Sequence, residues 1–208
     1  KNRVKDVKVF SVLTMKPYDF YMKHEMKGHF ELCSWFHAPG SRQALKEKTG
    51  TVTYVPNMLH RAASDRMKVR RPHLFVGTCT PPDDKGFVSL SLGITYEKDI
   101  IEAAEIVVLE VNEMLPRTYG DTQVHVADVD YFVSIHRNSF PTDNQVSGVE
   151  SLVYDLSGIK YEMAQNIVGA LGELGFREIG VKERPGLVVL RRTRMPALLI
   201  ETGFLNSD

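Results

Sequence analysis

The chain alternates short apolar segments, rich in β-branched residues, with segments that have the periodicity of an amphipathic helix. Ile106–Val111 is the strongest of the apolar segments, and the helical segment Tyr96–Ala104 directly precedes it. Leu74–Thr78 lies upstream of both, so the order is strand, helix, strand. This order favours βαβ units, which place parallel strands side by side. The sequence therefore predicts a three-layer α/β fold, in which helices cover both faces of a mainly parallel sheet.

Other segments follow the same two patterns along the 208 residues, a length that fits one domain or one domain with a small module. The further predicted strands are Val7–Leu13, Phe30–Phe36, Thr51–Pro56, Phe87–Leu92, Gly148–Tyr154, Leu187–Leu190 and Ala197–Glu201. Val124–Ile135 is predicted to hold one or two strands. Helical spacing predicts helices over Ser41–Lys48, Asn57–Met67 and Tyr161–Leu174.

The charge balance bears on the partners. The chain has 26 basic and 26 acidic side chains, so no net positive field remains to attract nucleic acid or an anionic membrane. We therefore expect neither as a partner. No apolar run approaches the ~18 residues of a membrane span, and no signal peptide is recognisable, which favours a cytoplasmic location. The sequence gives no indication of oligomeric state.

Two chemically reactive side chains follow apolar strands near the end of the chain. His136 ends the segment that begins at Phe132, and Glu201 ends the segment Ala197–Glu201. An imidazole can bind zinc, and a nearby carboxylate can then move a proton between water and a leaving group. A histidine or a glutamate at a strand end is more often a surface or hydrogen-bonded residue, so spacing alone leaves both interpretations open.

The residues around this pair resemble the second half of the zinc-dependent N-acetylmuramoyl-L-alanine amidases, which cut the lactyl-amide bond of bacterial peptidoglycan. The matching pieces are Tyr131–Ser139, Gly148–Tyr154, Gly180–Lys182, Leu187–Arg191 and Met195–Asn206, in the family's order and spacing. The resemblance implies that His136 is a zinc ligand and that Glu201 is the catalytic general acid and base.

The chain departs from the amidase pattern in its metal ligands. The family's first metal histidine lies in an Asp-Pro-Gly-His-Gly-Gly stretch, followed by a glutamate ligand, and this sequence contains no such stretch. A catalytic zinc normally has three protein ligands, of which the match supplies one. Tight zinc binding is therefore not expected from the matched residues alone.

Other histidine and aspartate residues of the chain could substitute for the missing ligands. His24 and His29 are five positions apart, not the four of a metalloprotease helix, and Gly28 weakens a helix there, so we predict a loop. His125, Asp128 and Asp130 precede His136 closely. A zinc site that combines them with His136 is a minor alternative.

The upstream segment, from Val7 to about Asp130, resembles the N-terminal domain of acetyl-CoA hydrolases and 4-hydroxybutyrate-type CoA-transferases. The matching pieces are Gly50–Pro56 with Leu59 and His60, Thr80–Asp83, Gly86–Leu90, Val111–Asn112, Met114–Thr122, Val124–Val126 and Val129–Asp130. The family moves CoA between acyl groups through a nucleophilic glutamate in its C-terminal domain. The resemblance therefore implies CoA or acyl-CoA as ligand, without naming cofactor-binding residues in this chain.

The two resemblances meet at Asp130, which divides the chain into a CoA-transferase-like segment 1–130 and an amidase-like half-domain 131–208. Whether the two parts share one sheet is left open by the sequence. The first hypothesis is a composite with little or no complete activity. The alternatives are a zinc-dependent cell-wall amidase that uses His136 and Glu201 on a peptidoglycan fragment, a protein that binds or transfers acyl-CoA, and a non-enzymatic interaction protein. The sequence alone leaves it uncertain whether the chain is an enzyme.

Overall fold

The computed structural model describes residues 4–139, 141–142, 145–191, 193 and 195–206. The chain forms two compact units, Lys1–Ala62 and Ala63–Asp208. Among the described residues, no helix has both the length and the apolar character needed to cross a membrane.

The first unit contains a small parallel sheet. Its three strands, in the order β1 (Val7–Ser11), β2 (Phe30–Ser34) and β3 (Val52–Tyr54), run in the same direction. Two helices, α1 (Asp19–Met22) and α2 (Pro39–Lys46), connect them. The core of this unit consists of fully buried side chains contributed by α1, β2 and α2: Tyr21, Leu32 and Ala44.

The second unit contains the six-stranded sheet that carries the candidate site. Its elements in chain order are α3 (Ala62–Val69), β4 (Leu74–Cys79), β5 (Phe87–Ser89), α4 (Glu97–Ala103), β6 (Ile106–Val111), β7 (Gln123–His125), β8 (Tyr131–Asn138), β9 (Val149–Val153), α5 (Gly158–Glu173), β10 (Glu178–Glu183), α6 (Val188–Arg191) and β11 (Ala197–Phe204). Short 3₁₀ turns occupy Val126–Asp128 in this unit and His24–Met26 and Leu59–Arg61 in the first.

The strand order of this sheet is β10-β9-β11-β8-β6-β4. Every neighbouring pair is parallel except β11 with β9. The strands β5 and β7 form a separate antiparallel pair. The predicted α/β class with a mainly parallel sheet is therefore confirmed.

Strand β11 shows how the sheet is buried on both faces. Ala197 and Leu199 pack in one apolar cluster, together with Leu190 of α6. Leu198 and Ile200 point to the opposite face, because side chains alternate along a strand, and pack in a second cluster with Ala164 of α5. This double burial explains why Ala197–Glu201 is a nearly continuous apolar run.

Strand β8 joins the two parts of the chain that the sequence resemblances separate. Phe132 lies between Leu109 of β6 and Ala197 of β11 in the strand register and is fully buried. Just before β8, Asp130 Oδ2 accepts a hydrogen bond from Val107 N at 2.8 Å, and Asp130 N donates to Val107 O at 3.0 Å. The position where the two resemblances meet is therefore the start of a central strand.

The structure corrects one local prediction, refines another and adds a strand that the sequence did not predict. Leu187–Leu190 was predicted as a strand, and this is wrong, because the chain turns after Arg184 and enters the short helix α6, which buries Leu190. Strand β10 was not predicted. It lies at the edge of the sheet, has charged ends and is mostly half-exposed, so it lacks an apolar pattern. The segment Val124–Ile135 contains parts of two strands, separated by a 3₁₀ turn.

Candidate functional site

Three neighbouring strands bring Glu201, His136 and Glu150 side by side. In the register of the sheet, Glu201 of β11 is opposite His136 of the parallel strand β8 and opposite Glu150 of the antiparallel strand β9. The strand alternation places all three on the same face of the sheet as Phe132. The two residues that the sequence singled out are therefore neighbours, and a second acidic residue, Glu150, lies beside them.

His136 is half-buried and already has a partner. Its Nε2 atom lies 2.6 Å from Ser134 Oγ, and Ser134 is 1% exposed. The backbone oxygen of His136 also accepts a hydrogen bond from Thr202 Oγ1 at 3.1 Å, which ties β8 to β11. The imidazole is therefore oriented by a buried hydroxyl two residues before it on the same face.

Glu150 is a buried carboxylate with two polar partners. Its Oε1 atom accepts a hydrogen bond from Asn138 Nδ2 at 2.9 Å, and its Oε2 atom forms an ion pair with Lys182 Nζ of β10. The sequence reasoning missed both Glu150 and Lys182 as site residues. The available signal was an acidic residue inside the segment Gly148–Tyr154, since a buried Glu is almost always paired.

Glu201 is the least satisfied group of the cluster. The residue is 8% exposed, and its Oε2 atom is buried without a hydrogen-bond partner among the described residues. Burial raises the pKa of Glu201 above its usual value, the positive character of His136 opposes that shift, and the charge of Glu150 adds to it. The environment therefore favours a Glu201 carboxyl that holds its proton more strongly than a free glutamate does.

The donor set around this cluster does not match a zinc centre. Nowhere in the part of the chain that the structure describes do three His, Cys, Asp or Glu side chains come close enough together to hold a metal ion. His136 Nε2 is engaged by Ser134, and Glu150 is engaged by Asn138 and Lys182. The residues present thus do not fit the metal that the amidase resemblance implies.

The alternative ligands also lie elsewhere. Asp130 precedes β8 while His136 is six residues further along that strand, a separation of about 20 Å. His125 Nδ1 accepts a hydrogen bond from Ala127 N at 3.1 Å. The zinc site that combines these residues with His136 is therefore wrong. In the first unit, His24 is in a 3₁₀ turn and His29 Nδ1 lies 2.6 Å from Val4 O, so the expected loop is confirmed.

The upstream turn Thr80–Gly86 is held from within by Arg117. One guanidinium nitrogen, Nη2, donates to Pro81 O at 2.8 Å and to Phe87 O at 2.9 Å, and Nη1 lies 3.5 Å from Asp83 Oδ2. Backbone hydrogen bonds, first that of Phe87 N, lower the pKa of Asp83. Arg117 therefore stabilises the turn through Nη2, while Nη1 is buried without a hydrogen-bond partner among the described residues.

Two known families match this chain, over residue ranges that overlap. Residues 1–142 match the acetyl-CoA hydrolase/transferase N-terminal domain. Residues 121–208 match the N-acetylmuramoyl-L-alanine amidase family. The chain is thus an α/β protein that combines segments of two enzyme families. Because the first match covers more than half of its residues, the chain belongs to the acetyl-CoA hydrolase/transferase family.

Two similar proteins are CoA transferases. The chain is 33% identical over 130 residues to a succinyl-CoA:acetate/propanoyl-CoA:succinate CoA transferase of Fasciola hepatica, covering 61% of this chain and 26% of that protein. It is 32% identical over 114 residues to the 4-hydroxybutyrate coenzyme A transferase of Clostridium kluyveri, covering 54% and 26%. The chain thus spans about a quarter of the length of these relatives.

Solved structures support the fold. RipA from Yersinia pestis superposes with a TM-score of 0.56 at 22% identity, over 93% of this chain and 49% of RipA. At this identity, the likeness concerns the fold alone.

Proposed function

We propose that this chain is a folded composite with little or no complete activity of either family. One observation carries the proposal: Glu201 and His136 are neighbours, yet these two, Glu150 and the other described residues form no group of three side chains arranged to hold a metal ion. A carboxyl with a raised pKa can serve as an acid, but amide hydrolysis also requires an activated water. The alternative of a zinc amidase acting on a peptidoglycan fragment therefore has the weaker support.

A second candidate function is binding of CoA or an acyl-CoA by the upstream segment. It is favoured by the family match over residues 1–142 and by relatives that are CoA transferases. The matched pieces Thr80–Asp83 and Gly86–Leu90 include most of the turn that Arg117 holds in place. Transfer is not part of the proposal, because the resemblance assigns the nucleophilic glutamate to the family's C-terminal domain, outside the matched segment.

One retention experiment tests both candidates. The purified chain is incubated with excess zinc and acetyl-CoA, passed through a desalting column, and analysed for metal by mass spectrometry and for acetyl-CoA by chromatography. We expect much less than one zinc per chain, and the same low content in a His136→Ala variant. Retained acetyl-CoA, unchanged in that variant, would support the second candidate.

The matched control is His125→Ala. His125 lies in the same unit, and its Nδ1 atom accepts a hydrogen bond from the backbone N–H of Ala127. One zinc per chain that is lost in His136→Ala and kept in His125→Ala would overturn the proposal of an incomplete site. That result would favour the amidase instead.

A further inference from the structure

A cavity of about 380 Å³ lies at the end of the six-stranded sheet away from Glu201. Pro196 and Ala197, at the start of β11, line it together with Tyr154, which follows β9. Glu201 is four residues further along β11, a distance of about 13 Å. The cavity is therefore separate from the cluster of Glu201, His136 and Glu150.

The charged residues of the cavity leave one cation without a partner. Lys160 Nζ lies 2.9 Å from Asp155 Oδ1 and donates to Ser157 O at 3.1 Å. The hydrogen bond from the Ser157 hydroxyl, followed by that from Lys160, lowers the pKa of Asp155, so Asp155 is ionised at neutral pH and offsets the charge of Lys160. Arg191 is exposed and forms no ion pair with any described residue. The lining thus has one net positive charge, at Arg191.

The remaining lining is largely apolar and partly open to solvent. Leu190 forms a buried part of the wall, while Tyr154 and Ile159 are 43% and 46% exposed. Met195 adds a polarisable thioether, which makes favourable contacts with aromatic rings. The volume falls within the range of small-molecule sites, about 300–1,000 Å³, which combine apolar walls with few polar groups.

We propose that this cavity binds a small organic anion, in which an aromatic or aliphatic body contacts Tyr154 and Ile159 and an anionic oxygen group pairs with Arg191. A carboxylate and a phosphate ester share this chemistry. Arg191 can donate two parallel hydrogen bonds to either group. The proposal is independent of zinc and acyl-CoA binding, because the cavity includes no residue of the cluster around Glu201 and none of the matched segment 1–142.

The test is calorimetric titration of the full chain with 4-phenylbutyrate, phenyl phosphate, neutral 4-phenylbutanol and inorganic phosphate. At least one of the two aromatic anions is expected to bind about tenfold or more tightly than 4-phenylbutanol. Arg191→Gln is expected to lower the affinity for that anion by a similar factor, because it removes a charge-assisted hydrogen bond. The aromatic anion that binds more tightly shows whether the site prefers a carboxylate or a phosphate ester.

Lys98→Gln is the control, since it removes one positive charge from the same unit at a position outside the cavity. It should leave the affinity unchanged. Equal affinity for 4-phenylbutyrate, phenyl phosphate and 4-phenylbutanol would overturn the proposal. Unchanged anion binding in Arg191→Gln, or an equal loss in Lys98→Gln, would also overturn it, as would inorganic phosphate binding as tightly as the aromatic anions.

Discussion

Replacing Phe132 by alanine is expected to lower the free energy of unfolding by about 3–5 kcal/mol, the usual cost of emptying a buried aromatic site. Phe132 is fully buried in the middle of β8, between Leu109 of β6 and Ala197 of β11. Its cluster contains side chains from both matched segments. The space left by the missing phenyl ring would therefore weaken packing in both matched segments, before and after Asp130. Urea unfolding of the full chain, followed by circular dichroism, measures the change.

Two further variants serve as controls for this prediction. Phe132→Leu retains much of the apolar volume and should cost less than half as much. Leu174→Ala, at a position that is 76% exposed after α5, should change the stability by no more than about 0.5 kcal/mol. A Phe132→Ala variant within about 1 kcal/mol of the parent would contradict the placement of this residue at the centre of the sheet.

Replacing Glu201 by glutamine is expected to stabilise the chain at pH 7 by roughly 1–2 kcal/mol, because it removes a buried, incompletely paired carboxylate. Burial and Glu150 raise the folded-state pKa of Glu201 above its unfolded value of 4.5, with His136 opposing the shift. For an acid of this kind, the cost of ionisation in the folded state is fully present above the folded pKa. It disappears as the pH falls through the folded pKa towards the unfolded one.

The stabilisation by Glu201→Gln should accordingly be largest at neutral pH and shrink towards pH 4. Unfolding curves of both proteins across this range measure the difference. Glu183→Gln, an exposed glutamate at the end of β10, is the control and should show little difference at any pH. A Glu201→Gln variant that is less stable than the parent at pH 7, or a gain that is independent of pH, would contradict the assigned environment.

The sequence carried enough information for the fold class, which follows from short apolar strands alternating with helices. For His136 and Glu201, the spacing of the strand ends left the interpretation open, and the resemblance to the amidases linked the two residues. The sequence pattern failed at Leu187–Leu190, since four apolar residues fit a strand and a helical turn equally well. The preceding Arg184–Gly186 turn, together with the packing of Leu190, selects the helix.

The polar partners of the site could not be derived in this way. Glu150 contacts the cluster because β9 runs antiparallel to β11, and Lys182 reaches Glu150 because β10 adds to the edge of β9. These neighbours depend on strand order, which local patterns do not specify. The cavity at Arg191 could not be derived from local patterns either. It forms where the start of α5, the end of α6 and the start of β11 lie near one another.

The central claim is that strands of both matched segments form one cooperative sheet across Asp130. Native-state hydrogen exchange of the amides of Leu109, Phe132 and Leu199 tests it most directly, since these residues represent β6, β8 and β11. We predict that all three exchange with one common opening free energy, equal to that from urea unfolding. If Leu109 opened at a clearly lower free energy than Phe132 and Leu199, the two segments would fold separately and the claim would be contradicted.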